Sequence, residues 1–157
     1  MSKCISVVLE LSSDCDSDGN KKLNKIIDYL ITYIVNDETI KIYSFPFLGK
    51  KLPKRPGEFV GALKKFTPVF WALDQSIELS LEVLNSEGKY DDKFLFLITD
   101  KKLPDYRIKK SIKKAAEHKI PFYIFSLIEQ ISYEGSNIIT LEHPDEFYSK
   151  SKEIIYG

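Results

Sequence analysis

The sequence predicts a three-layer α/β domain: a doubly wound, mainly parallel sheet of Rossmann-like topology with helices on both faces. Three observations predict it. Apolar segments of strand length alternate with segments whose apolar residues recur at helical spacing, which is the signature of βαβ units. The strand segments are nearly continuous in apolar residues, as expected of strands covered on both faces. Two of them then run straight into oxygen-bearing side chains. Ile5-Ser6-Val7-Val8-Leu9-Glu10-Leu11 leads into Ser12, Ser13 and Asp14, and Phe94-Leu95-Phe96-Leu97-Ile98 leads into Thr99 and Asp100. In an open parallel sheet, ligands bind in the crevice beyond the carboxyl ends of the strands.

The elements follow in order. Residues 4–11 read as a buried strand. Residues 19–35 read as a helix, because Leu23, Ile26, Ile27, Leu30 and Ile34 fall on one face. Asp18 and Gly19 stand at its start, where acidic groups are favourable. Residues 39–45 alternate as a half-buried strand. The stretch from Pro46 to Thr67 is long for a connector and rich in Pro, Gly and Lys, with room for a short helix around Glu58 to Lys65. Residues 68–86 form a second amphipathic helix, with Val69, Leu73, Ile77, Leu81 and Leu84 inward, and 93–99 a buried strand. Pro104 to Lys119 is a basic helix with Ile108, Ile112, Ala115 and Ala116 inward. Pro121 to Leu127 and Asn137 to Leu141 are strands, and Pro144 to Ile155 a last helix. No repeat or low-complexity tract interrupts the pattern, so residues 1–157 are expected to form one domain.

Composition narrows the functional classes. Apolar residues make up 43% of 157, enough for a substantial core. Lys and Arg number 23 and so do Asp and Glu, giving a formal net charge of zero. Proteins that hold nucleic acid by neutralising phosphates are usually strongly basic, so that class is disfavoured. No apolar run approaches the roughly 20 residues of a membrane span. The N-terminal residues lead into a strand without a signal-peptide pattern, and the chain is expected to be cytoplasmic. Cys4 opens the first strand and Cys15 lies in the loop after it. An extended strand rises about 3.3 Å per residue, too far for a disulfide between them. His118 and His143 are too few and too scattered for a zinc site.

The oxygen-bearing strand ends carry the sharper motifs. Glu10-Leu11-Ser12-Ser13-Asp14 closes the first strand, Thr67 precedes the helix containing Ala72-Leu73, and Thr99-Asp100-Lys101 closes the strand at 93–99. In this order, and at these element boundaries, they resemble the motifs of a von Willebrand factor A-type (vWA) domain across nearly the full chain. The family's first motif is Asp-x-Ser-x-Ser, its second a Thr ahead of an Ala-Leu pair, its third Thr-Asp-Gly. Ser12, Thr67 and Asp100 match. Glu10 stands in place of an Asp, Asp14 in place of a Ser, and Lys101 in place of a Gly, with Lys102 following.

The resemblance implies a doubly wound fold with a metal-ion-dependent adhesion site at its top, and a protein-interaction function without catalysis. Ser12, Asp14, Thr67 and Asp100 would supply oxygens to Mg2+ or Mn2+, with Glu10 beside them, and one coordination position would be left for a carboxylate of a partner protein. Magnesium suits such a set because it takes near-octahedral oxygen ligands and retains waters. Lys101 offers the opposite outcome, an ammonium neutralising the carboxylates in place of a cation. Lys101, Lys102 and Trp71 would flank the partner. Trp71, Phe70 and Phe66, around Thr67, read either as packing residues or as an aromatic lip.

Other readings compete. Asp14-Cys15-Asp16-Ser17-Asp18-Gly19 begins like a calcium loop, but Lys25 occupies the twelfth position, where an EF-hand needs a bidentate Glu. Ca2+ is therefore the weaker expectation, and Asp16 and Asp18 read as helix-capping residues. The basic helix, with Arg107, Lys109, Lys110, Lys113 and Lys114, reads as a solvated face, with an acidic partner or a phosphate backbone as the alternative. Gly49 to Arg55 is a second basic cluster without P-loop spacing. An enzyme of receiver-like or hydrolase-like α/β fold would use Asp14, Asp16 and Asp100 around magnesium for phosphoryl transfer or hydrolysis. Glu10 and Ser12, where a nucleophilic Asp would end the first strand, argue against it. No Gly-x-Gly-x-x-Gly follows that strand, so dinucleotide binding is not expected. A metal-free scaffold is the third reading.

Overall fold

The computed structural model describes residues 2–10, 18–45, 50–51, 72–86, 88–100, 102–130 and 137–157. Among the described residues, ten elements follow one another: β1 (Lys3–Glu10), α1 (Asp18–Asn36), β2 (Ile40–Phe45), β3 (Lys50–Lys51), α2 (Ala72–Ser86), β4 (Asp92–Thr99), α3 (Asp105–Glu117), β5 (Phe122–Ser126), β6 (Ile138–Thr140) and α4 (Asp145–Tyr156). The six strands form one sheet in the order β3-β2-β1-β4-β5-β6. β2, β1, β4, β5 and β6 pair in parallel, and only the two-residue β3 is antiparallel.

The chain winds outward from the middle in two directions. β1 passes through α1 to β2 on one side, and the chain then returns to place β4 on the other side of β1. The switch point therefore lies between β1 and β4, where crossovers leave the sheet in opposite directions and a crevice opens at the strand ends.

Each strand feeds two cores because its side chains alternate between faces. Ile5, Val7 and Leu9 of β1 join Phe94, Phe96 and Ile98 of β4 under α1 and α4, against Ile26, Ile27, Leu30 and Phe147. Cys4 and Val8 of β1 join Leu95 and Leu97 of β4 on the opposite face, against Ile77, Leu81 and Leu84 of α2 and Ile108 and Ala115 of α3. Phe125 anchors the first core, edge-to-face with Phe96 at 5.1 Å and with Phe147 at 4.8 Å. Such edge-to-face pairs add to the burial of the rings themselves.

The expected elements appear within a few residues of their predicted bounds. Three details differ. The long connector contains β3, whose two lysines extend the sheet at the β2 edge. Ala116 is exposed rather than inward, and Ser111 takes a buried place beside Ile108 and Ala115. At 3.6 residues per turn, positions 108, 111 and 115 share a face while 116 rotates past its edge. Asp18 is the first residue of α1. Val69 and the expected short helix at Glu58 to Lys65 lie outside the described residues, as do Cys15 and Asp16. The Cys4 thiol is buried in the core.

Candidate functional site

The upper rim of the sheet is a row of polar residues held in register. Glu10 pairs with Thr99, Thr99 with Ser126, and Ser126 with Thr140. β1, β4, β5 and β6 thus all end at one level, each on a residue that carries oxygen. Glu10 and Thr99 are neighbours across the switch point, and Asp100 follows Thr99 directly. Of the predicted site residues, the fold therefore brings the backbone positions of Glu10 and Asp100 together at the crevice. Lys102 is exposed just beyond them. Ser12, Asp14, Thr67, Trp71 and Lys101 lie outside the described residues.

Beneath the rim runs a polar network that the sequence reading missed. Thr99 and Ser126 are fully buried. The Thr99 carbonyl accepts the Leu127 N–H at 2.9 Å, and the Ser126 carbonyl accepts the Leu141 N–H at 2.8 Å. The Ser126 hydroxyl donates to the Ile128 carbonyl and accepts from the Ile128 N–H and, at 3.0 Å, from Nε2 of Gln130. Oε1 of Gln130 accepts the Leu103 N–H at 3.0 Å. Gln130 is itself buried, so its amide fastens the segment after β5 to the segment after β4, which carries Asp100 and Lys102. The only sequence signal was a polar side chain close behind an apolar strand, and that pattern is common to many surface loops.

A second polar cluster lies at the opposite end of the sheet. Lys3, which opens β1, is only 5% exposed, and its ammonium sits 5.0 Å over the Tyr156 ring. The Tyr156 hydroxyl donates to Oδ2 of Asp37 at 2.7 Å. Asp37 Oδ1 accepts the Thr39 hydroxyl and, at 2.9 Å, the Thr39 N–H. The Thr39 hydroxyl is the main reason that the Asp37 carboxyl is held below its usual range, with the Tyr156 hydroxyl adding to it against the opposing effect of burial. Burial first, and then the bond to Asp37, pushes the Tyr156 phenol upward. Tyr33 stacks on Tyr148 at 5.5 Å and shares a 2.8 Å hydrogen bond with Ser151, while burial raises its phenol as well. Tyr33, Asp37, Tyr148 and Tyr156, with Thr32, Asn36 and Lys152, line a cavity of about 260 Å3. The Tyr33–Ser151 and Tyr156–Asp37 hydrogen bonds make it a structural tie between α4 and the C-terminal end of α1.

Lys25, which denied the first loop an EF-hand, sits in α1 and pairs with Asp145 at 2.9 Å. The Tyr29 hydroxyl donates to the same carboxylate and, with Lys25, holds it ionised below its usual range. His118 caps the C-terminal end of α3 and contacts Asn85 of α2, and His143 is exposed ahead of α4. Among the described residues, no group of three or more His, Cys, Asp or Glu side chains could hold a metal ion, and no helix is long and apolar enough to cross a membrane.

No protein-family model and no curated protein sequence matches the chain. Solved structures do. The crystal structure of the manganese-loaded Plasmodium vivax TRAP protein covers 98% of this chain and 71% of its own, with 12% sequence identity and a TM-score of 0.53. At that identity the likeness speaks for architecture alone. Over nearly its whole length, this chain has a vWA-like α/β fold.

Proposed function

We propose that residues 1–157 form a single vWA-like protein-interaction domain that meets a partner protein at the top of its sheet through a divalent cation, magnesium or manganese. The observation that carries this reading is the register of Glu10 with Thr99 at the switch point, with Asp100 next in sequence. That register sets two acidic positions beside the crevice where a doubly wound sheet binds its ligands. The structural likeness to a manganese-loaded protein supports the choice of cation.

In this reading Ser12, Asp14, Thr67 and Asp100 supply oxygens directly or through water, and Glu10 stands alongside them at the end of β1. Magnesium takes about six oxygen ligands and gives up its waters reluctantly, so one exchangeable position suits a partner carboxylate. Lys101, Lys102 and Trp71 border that position and meet the partner. The domain is read further as non-enzymatic and cytoplasmic.

Calorimetric titration with magnesium and manganese tests the proposal. Wild type should bind either ion, Asp100→Asn should lose the binding, and both should give the same circular dichroism spectrum. An intact fold that takes up no metal at millimolar concentration sinks it.

A further inference from the structure

The proposed contact at the strand tops leaves the partner's chemistry open, and helix α3 narrows it. Five cationic residues, Arg107, Lys109, Lys110, Lys113 and Lys114, stand against Asp105 and Glu117 on this one helix, a formal charge of +3. The cations are not spread evenly around it. Ile108, Ser111 and Ala115 are buried against the sheet. Tyr106, Lys109, Lys110 and Lys113 are all exposed, and their spacing of three, four and seven residues sets them on one outward stripe. Lys114 leaves the stripe to pair with Glu78 of α2, and Lys109 also reaches Asp105 at 3.6 Å.

Tyr106 stands at the head of this stripe, 64% exposed, with the Arg107 guanidinium 6.0 Å from its ring and Arg107 Nε donating to its hydroxyl at 3.3 Å. Tyrosine and arginine are both enriched in protein contact surfaces and their hot spots. The stripe begins where the chain leaves the top of the sheet, through Asp100, Lys102 and Pro104.

We propose that this stripe of α3 is a docking surface for an acidic segment of a partner protein, one that carries an aromatic or aliphatic residue among its carboxylates. The proposal rests on the reading of the domain as an interaction module and adds the partner's charge. The same charge suits both contacts, since a cation at the strand tops and lysines on α3 each attract carboxylate.

A protein segment fits better than the other polyanions. Tyr106 to Lys113 spans only about 10 Å at 1.5 Å per residue. A duplex binder neutralises roughly six to ten phosphates, more than three lysines supply. Polybasic membrane contacts cluster about four to eight cations. The chain's net charge of zero also gives no long-range pull toward a nucleic-acid polymer.

The test is fluorescence polarisation with a labelled Glu/Asp-rich peptide that bears one Phe, measured on the full chain in EDTA and again in magnesium. The triple variant Lys109→Glu, Lys110→Glu, Lys113→Glu should weaken binding at least about tenfold in EDTA, because it turns attraction into repulsion at the contact. A control triple at the exposed lysines 89, 119 and 150, also changed to Glu, alters net charge equally and should shift affinity by less than about threefold. Tyr106→Ala should weaken binding while leaving its salt dependence unchanged. If the Glu triple folds poorly, the Gln triple at 109, 110 and 113 should still weaken the peptide more than its control.

Equal losses in both triples, no binding by wild type, or tighter binding to duplex DNA or to phosphatidylserine vesicles would each overturn the proposal. The cation reading fails separately: peptide binding through α3 would then persist in EDTA while no magnesium binds.

Discussion

The hydroxyl of Tyr156 donates to Asp37 at 2.7 Å, tying the last turn of α4 to the connection between α1 and β2, 119 residues earlier. One hydrogen bond thereby closes the domain at the end of the sheet remote from the candidate site. Its environment makes it sensitive to pH in both directions.

Tyr156→Phe should lower stability by about 1 kcal/mol near neutral pH, the typical net worth of one hydrogen bond, since solvent around the half-exposed Tyr156 weakens the pull of the charge. The sign at each extreme follows from linkage. The Asp37 carboxyl is held low in the folded state, so its contribution is complete above the unfolded value of about 3.9 and disappears as pH falls through the lower folded value. The Tyr156 phenol is held high, so its contribution is complete below the unfolded value of about 10 and disappears as pH rises toward the folded value. Urea melts of wild type and variant should therefore converge at both acid and alkaline pH. A constant gap across the range would contradict the assignment.

Among the described residues, two buried hydroxyls lack any hydrogen-bond partner: Ser6 of β1 and Ser80 of α2, both fully buried. Ser6 shares the face of β1 with Cys4 and Val8, which α2 covers, and α2 lies against β1 there. A buried unsatisfied polar group costs about 1–3 kcal/mol. Ser6→Ala and Ser80→Ala should each raise the melting temperature, against the usual trend of core substitutions. A fall in either would mean that the hydroxyl is satisfied in solution.

Gln130→Ala should lower stability by about 2 kcal/mol, since it strips a partner from the Leu103 N–H and from the Ser126 hydroxyl. The same substitution should loosen the segment after β4. Amide exchange at Leu103 should quicken in the variant while exchange in α1 stays at the wild-type rate. Unchanged protection at Leu103 would remove Gln130 from the support of the rim.

Phe147→Ala opens a cavity where α4 meets the sheet, beside Phe125. A fully buried phenylalanine removed in this way costs about 3–5 kcal/mol. Phe147→Leu should recover most of the loss, because it restores apolar volume. If Phe147→Ala melts like wild type, α4 is not packed as described.

The local layers of this protein were legible in its residues. Runs such as Phe94 to Thr99 have strand length and no polar face, and Ile26, Ile27, Leu30 and Ile34 recur at helical spacing, so element types and their alternation followed from local patterns. Ala116 and β3 escaped for local reasons too. An alanine beside a face boundary has little preference for burial, and two lysines carry no strand signal. The crevice was likewise expected from oxygen-bearing strand ends, and the backbone positions of Glu10 and Asp100 lie at the ends of β1 and β4.

The tertiary structure alone decided what depends on pairing between distant segments. Nothing within residues 92–99 states that this strand lies beside β1, nor that Thr99 meets Glu10 rather than a position two residues away, yet that register creates the candidate site. Gln130, Ser126 and the Leu103 backbone N–H, or Lys3, Asp37 and Tyr156, are individually ordinary groups, and their roles arise only once the sheet order brings them together. Hydrophobic periodicity is a local property of the chain, whereas strand order, register and polar satisfaction are set by which arrangement buries both faces of the sheet and bonds its buried donors at the same time.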